Sequence, residues 1–109
     1  MKISETLDKA ADHIVEHGWH QGFYWPTVGH ALGEPEYVEG DPCCALGALS
    51  VVEGVNVYAG LTMAMGFLGQ HLGMNAMSIA DWNDTPERTK DEVLAALRGA
   101  AKRAEVLGK

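Results

Sequence analysis

The chain has 109 residues, of which 47% are hydrophobic and 21% charged, and it sets 15 acidic residues against 8 lysines and arginines. A length of this order suits one domain, 1–109, around one core, and the composition is globular rather than disordered. The acidic balance excludes nucleic acid and anionic membrane as main partners, because neither phosphates nor acidic headgroups find neutralising charge on such a surface.

The charges are also segregated: the 78 residues between Lys9 and Arg88 hold ten carboxylates and no lysine or arginine. At the N-terminus, Lys2, Glu5, Asp8 and Lys9 interrupt any apolar run of signal-peptide type, so a cytoplasmic location is expected. Ser4 is placed to cap a first helix whose stripe is Leu7, Ala11, Ile14 and Val15, with Gly18 ending it. Within this helix His13, Glu16 and His17 match the inverted zincin spelling, in which two histidines a turn apart hold zinc and the glutamate acts as base. The helical wheel turns His13 away from the apolar stripe and into water, so the expectation is an exposed histidine pair with no metal; His20 and His30 are remote further ligands.

From Gly18 to Gly40 no helix is legible, and a connection of this length is expected to form a small β-hairpin or an ordered loop. It gathers Trp19, Phe23, Tyr24 and Trp25, rings of the type used at binding hot spots, and these four are the predicted protein-binding residues. The acids Glu34, Glu36, Glu39 and Asp41 follow without the ligand spacing of a calcium loop.

Asp41 and Pro42 predict the start of a second helix, running through Cys43, Cys44, Leu46, Leu49 and Val52 to Gly54. The two cysteines are adjacent and are read as free thiols, in keeping with a reducing compartment. A third helix is predicted from Asn56 to Leu72, with Gly73 beyond it; no charged residue occurs from Gly54 to Ala80, which implies burial. Thr62, Gly66, Gly69 and Gly73 form its small side, expected to pack on Cys44, Gly47, Ala48 and Val51, with a homodimer seam through Asn56–Leu72 as the other way of covering it. Its apolar run is too short to span a membrane. Thr89 and Glu92 form a capping box for a last helix with the stripe Val93, Leu97, Ala100, Ala104 and Leu107, and Arg98, Lys102 and Arg103 complement its negative end.

Together these elements predict an all-α fold, a compact bundle of about four helices with a long aromatic and acidic insert between the first two. For chemistry, Cys44, His71 and Asn83 occur in the order cysteine, histidine, carboxamide used by papain-like enzymes, with the thiol in the opening turn of a helix. No glycine pattern of nucleotide-binding type is present, and no cofactor is expected.

The blocks Gly18, Trp19, Gln21, Gly22; Cys44–Leu49; and Ile79, Trp82, Asn83, Asp84, Arg88, Thr89, Glu92, Val93 resemble a family of small uncharacterised proteins of actinobacteria and their phages, a domain of unknown function. The resemblance implies a mainly helical fold and a phage or mobile-element origin, and no activity. Asn83, Asp84 and Thr85 before Pro86 are turn formers, Trp82 is placed to seal the core, and Arg88 to bond Asp84; the alternative is that Trp82, Asn83 and Arg88 line a ligand pocket. The reading that follows is a non-enzymatic modulator that binds a basic patch on a host protein. The alternative is a thiol-dependent hydrolase or transferase using Cys44.

Overall fold

Two helices at opposite ends of the chain form the frame: α1 (Ile3–His17) lies along α5 (Lys90–Val106) in the broadest contact of the fold. The structure, a computed structural model, describes residues 1–26 and 37–109. Between the frame helices come α2 (Ala45–Glu53), a turn of 3-10 helix at Val57–Ala59, α3 (Met63–Leu72), a second 3-10 turn at Ala76–Ser78 and α4 (Ile79–Asn83). The fold is all-α, with five α-helices and no strand among the described residues.

The frame helices pack through small side chains. Ala10 and Ala11 of α1 and Ala96, Ala100, Ala101 and Ala104 of α5 are buried, flanked by Leu7, Ile14, Val93 and Leu97. Alanine at so many contact positions brings the two backbones close, while the larger residues fill the grooves beside them. The capping box of α5 is as predicted, with Thr89 Oγ1 accepting from the Glu92 amide at 3.2 Å and Glu92 Oε1 from the Thr89 amide at 2.9 Å. Ser4 does not cap α1: the helix begins at Ile3, the Lys2 amide donates to Glu5 Oε1 at 3.2 Å, and Ser4 is buried inside the first turn. Val15, expected on the buried stripe, is exposed. Arg98 bonds Asp8 (3.2 Å) and Asp12 (2.6 Å) of α1 from the middle of α5, rather than serving its own helix end.

The second helix starts later than Asp41 and Pro42 suggest. Trp19 and Cys43 form a parallel bridge, with the Cys43 amide donating to Gly18 O at 3.2 Å and the His20 amide to Cys43 O at 3.1 Å. Those bonds hold Cys43 extended, and Cys44 becomes the cap, its Sγ accepting from the Gly47 amide at 3.3 Å. Among the described residues this parallel bridge is the only strand-like pairing in the insert; the middle of the predicted hairpin, 27–36, lies outside them.

The third predicted helix is broken. Asn56 caps the first 3-10 turn, Gly60 at φ 145° leaves helical space, and Thr62 caps α3 by accepting from the Met65 amide. Two caps six residues apart cannot belong to one helix. Met65 and Leu68 are therefore buried as expected, whereas Leu61 and Met63 face outward. The glycine side is also divided: a Cβ on Gly69 would lie 2.7 Å from Met74 O, and one on Gly47 2.6 Å from Tyr24 O, so these glycines admit neighbouring loops and not one another's helices. Among the described residues, no helix is long and apolar enough to cross a membrane.

Since the atom facing Gly47 is a backbone carbonyl that also accepts the Cys44 amide at 2.9 Å, Gly47→Ala must displace the insert. Its expected cost is about 1–3 kcal/mol, measured by urea unfolding, despite the better helix propensity of alanine.

Candidate functional site

Asn83 is fully buried at the end of α4, and each of its polar atoms is used. Its Oδ1 accepts from Trp19 Nε1 at 2.8 Å and from the Ala45 amide at 3.1 Å, at the entrance to α2. Its Nδ2 donates to His20 O at 3.1 Å and to Asp84 Oδ1 at 3.0 Å. Beside it, Gln21 Nε2 donates to Asn83 O and Thr85 O, and the Gly22 amide donates to Asp84 Oδ1 at 3.0 Å. A carboxamide with two acceptor and two donor bonds is saturated. Three distant stretches, 18–22, 44–45 and 82–85, are thereby fixed to one side chain.

Two adjoining hollows lie near this clamp. The larger, about 430 Å³, is an apolar trench lined by Tyr24, Leu46, Val57, Tyr58, Leu61 and Met77. Tyr24 and Tyr58 meet edge to face across it at 5.4 Å. The smaller, about 170 Å³, is lined by Gly22, Phe23, Tyr24, Cys44, Ala80 and Asp84. Tyr24 and Ala80 border both. Met77 is 76% exposed and Phe23 64%, large apolar groups left in water at the lips.

The blocks brought together by Asn83 are the ones that carried the family resemblance, and a family model described as "Family of unknown function (DUF6197)" matches residues 1–103. The chain belongs to that family. No curated protein and no solved structure matches it. Membership in DUF6197 thus brings no reaction with it, and the chemistry has to be read from the side chains.

Of the four predicted binding aromatics, only Phe23 and Tyr24 line a hollow. Trp19 is held by Asn83, and Trp25, 6% exposed, packs edge-on against Tyr37 at 5.6 Å, its Nε1 without a partner among the described residues. Tyr58, Leu61, Met77 and Ala80 were not predicted from the sequence as site residues, and Asp84 was read only as a turn former and partner of Arg88. The spacing of Met77, Ala80, Asp81 and Asp84 is that of one helix face, and was the available signal.

The thiol arrangement does not assemble. Cys44 lies at the base of the smaller hollow, and burial, followed by lesser contributions including the charge of Asp84, pushes its pKa up to about 12 against the lowering effect of the Gly47 and Leu46 amides. His71 stands against Gly99 of α5, and Asn83 has no free polar atom. The contact that does form is between Cys43 and His13, with Nε2 3.4 Å from Sγ and 3.3 Å from Asp41 O. Burial, then the charges of Cys44 and Asp41, pushes Cys43 up to about 12 as well. Both thiols are neutral at physiological pH, the opposite of an activated nucleophile.

His13 is half-buried rather than free in water, between the rings of His17 at 4.7 Å and Tyr37 at 5.8 Å. Among the described residues no group of three or more candidate ligands surrounds it; His30, Glu34 and Glu36 lie outside those residues. Arg88 does not reach Asp84. Its Nε donates to Trp82 O at 3.0 Å, its Cζ lies 4.4 Å from the Trp82 ring centre, and Nη1 bonds Glu92 at 3.2 Å. Neither hollow is lined by Trp82, Asn83 or Arg88.

Asn83→Ala strands the Trp19 indole N–H and the Ala45 amide inside the protein. The expected loss is about 3 kcal/mol or more in urea unfolding, as stranded buried donors cost about 1–3 kcal/mol each. Burial, reinforced by His17, holds His13 below its ordinary value of 6.5 against the raising effects of Asp41 O and Glu16. The folded state therefore binds this proton more weakly than the unfolded chain, and the associated stability, present above about pH 6.5, is lost as pH falls below it. Melting temperatures compared at pH 7.5 and 5.5 should fall further for the wild type than for His13→Gln.

Proposed function

We propose that this protein is a non-catalytic binding module that seats a basic amphipathic helix of another protein in the trench between α4 and the Val57–Ala59 turn. The observation that carries this reading is an apolar trench whose lining holds no lysine or arginine. Its walls are Tyr24, Tyr58, Leu61 and Met77. Asp84 lines the adjoining hollow, Asp81 follows Ala80 of the trench wall in the chain, and Glu53 accepts from Thr62 Oγ1 at 2.7 Å, one residue beyond Leu61. No lysine or arginine occurs from 10 to 87 to repel a cationic partner.

An apolar groove takes the apolar stripe of a helix, and neighbouring carboxylates select and steer a basic one. Exposed methionine suits such a surface, since its unbranched side chain repacks around different partners. The thiol-enzyme alternative finds no support in two neutral thiols and a saturated Asn83.

A fluorescein-labelled synthetic helix of leucine and lysine, and its leucine–glutamate counterpart, provide the test by fluorescence anisotropy. The lysine helix should bind saturably and the glutamate helix should not. The double variant Leu61→Ala, Met77→Ala should weaken binding about tenfold or more, the scale for truncating interface anchors, with an unchanged circular dichroism spectrum. Equal binding of both helices would refute the reading. Self-association that the double variant abolishes would instead assign the trench to a second copy of the chain.

A further inference from the structure

We propose that the smaller hollow is the specificity pocket of this docking surface, and that it receives one lysine side chain of the partner, with the stem along Phe23 and Tyr24 and the ammonium on Asp84. The inference rests on the helix-docking reading above and names the group that the hollow adjoining the trench selects.

The hollow has the size of one side chain: its volume is about 170 Å³, and a cavity of roughly 150 Å³ accommodates a benzene-sized group. It opens beside the trench, with Tyr24 and Ala80 common to both, so a side chain projecting from a docked helix enters it sideways. Its lining is apolar except for one charge. Gly22 contributes no side chain, Cys44 a neutral thiol, and Phe23 and Tyr24 are aromatic residues of the kind that attract a cation. The charge is the carboxylate of Asp84, whose orientation is fixed because Oδ1 accepts both the Gly22 amide and Asn83 Nδ2, each at 3.0 Å. Oδ2 has no hydrogen bond among the described residues.

A single available oxygen discriminates between the two basic side chains. Guanidinium binds a carboxylate best through two parallel bonds, which require both oxygens; ammonium is a point charge and needs one. The four methylenes of lysine match an apolar passage that ends in a carboxylate. Arg88 would be the competing occupant from this chain, but it is held over Trp82 and bonded to Glu92.

Asp84→Asn separates charge from architecture, because the amide oxygen still accepts from Gly22 and Asn83; its melting temperature should match the wild type. Nitrogen-15 NMR titration with n-hexylamine at neutral pH, with 1-hexanol as the uncharged control, probes the hollow without any helix. The amine should shift the Gly22, Phe23 and Asp84 amides saturably and bind about tenfold or more tightly than the alcohol, the scale of a charge-assisted contact. Asp84→Asn should erase that difference. The leucine–lysine helix should lose a similar factor on Asp84→Asn and bind more tightly than a leucine–arginine helix. Amine and alcohol binding equally to the wild type, or helix binding indifferent to Asp84→Asn, overturns the pocket. Amine binding without helix binding overturns the docking reading and leaves the hollow as a cation site.

Discussion

The saturated carboxamide of Asn83 is the constraint on which this architecture turns. The helices here are short apart from α1 and α5, and short helices gain little from propensity alone. α2 and α4 need their ends fixed by something other than their own hydrogen bonds. Asn83 does this for both, terminating α4 while it accepts the first amide of α2 and fastens the aromatic segment 19–22 across them. Because the group is buried with its four bonds made, alternatives that leave any of them unmade are costly. Uniqueness of this corner comes from polar geometry, and its bulk stability from the alanine-lined contact of α1 and α5.

The same side chain links fold to surface. By orienting Asp84 through Nδ2 and positioning Gly22 through the neighbouring bonds, it sets the wall of the smaller hollow. Tyr24 does the equivalent for the trench: its carbonyl holds Cys44 and crowds Gly47, while its ring meets Tyr58. For the docking role proposed above, a surface whose backbone is anchored in advance reduces the ordering cost of association. The neutral thiols belong to this scaffold, Cys44 as a helix cap and Cys43 as the neighbour of His13.

The frame was legible because its signals are local. The Thr89–Glu92 capping box and the glycines at 18, 54 and 73 act within a turn of themselves, and the stripes of α1 and α5 follow a helical period. What misled was local as well. Asp41 and Pro42 have the chemistry of a helix start, but the Trp19–Cys43 bridge claims the backbone that the start would need. The uncharged stretch from Gly54 to Ala80 reads as one buried helix because apolarity is averaged over it; Gly60 and Thr62 divide it, and the surplus apolar residues become the trench. An uncharged segment marks a surface hidden from water, and that hiding can be done by a partner as well as by the core.

By itself the sequence determined the helical class, the two frame helices with their faces and most of their ends, the family, and the segregation of lysine and arginine to the two ends of the chain. Those properties depend on composition and on contacts a few residues apart. Only the tertiary structure decided that Trp19 and Trp25 support the fold while Phe23 is exposed and Tyr24 lines both hollows, that His13 meets Cys43 while Cys44 and His71 remain apart, and that Asp84 borders an apolar hollow. Each depends on which distant segments share Asn83, a choice made by long-range hydrogen bonds and burial that no spacing along the chain encodes.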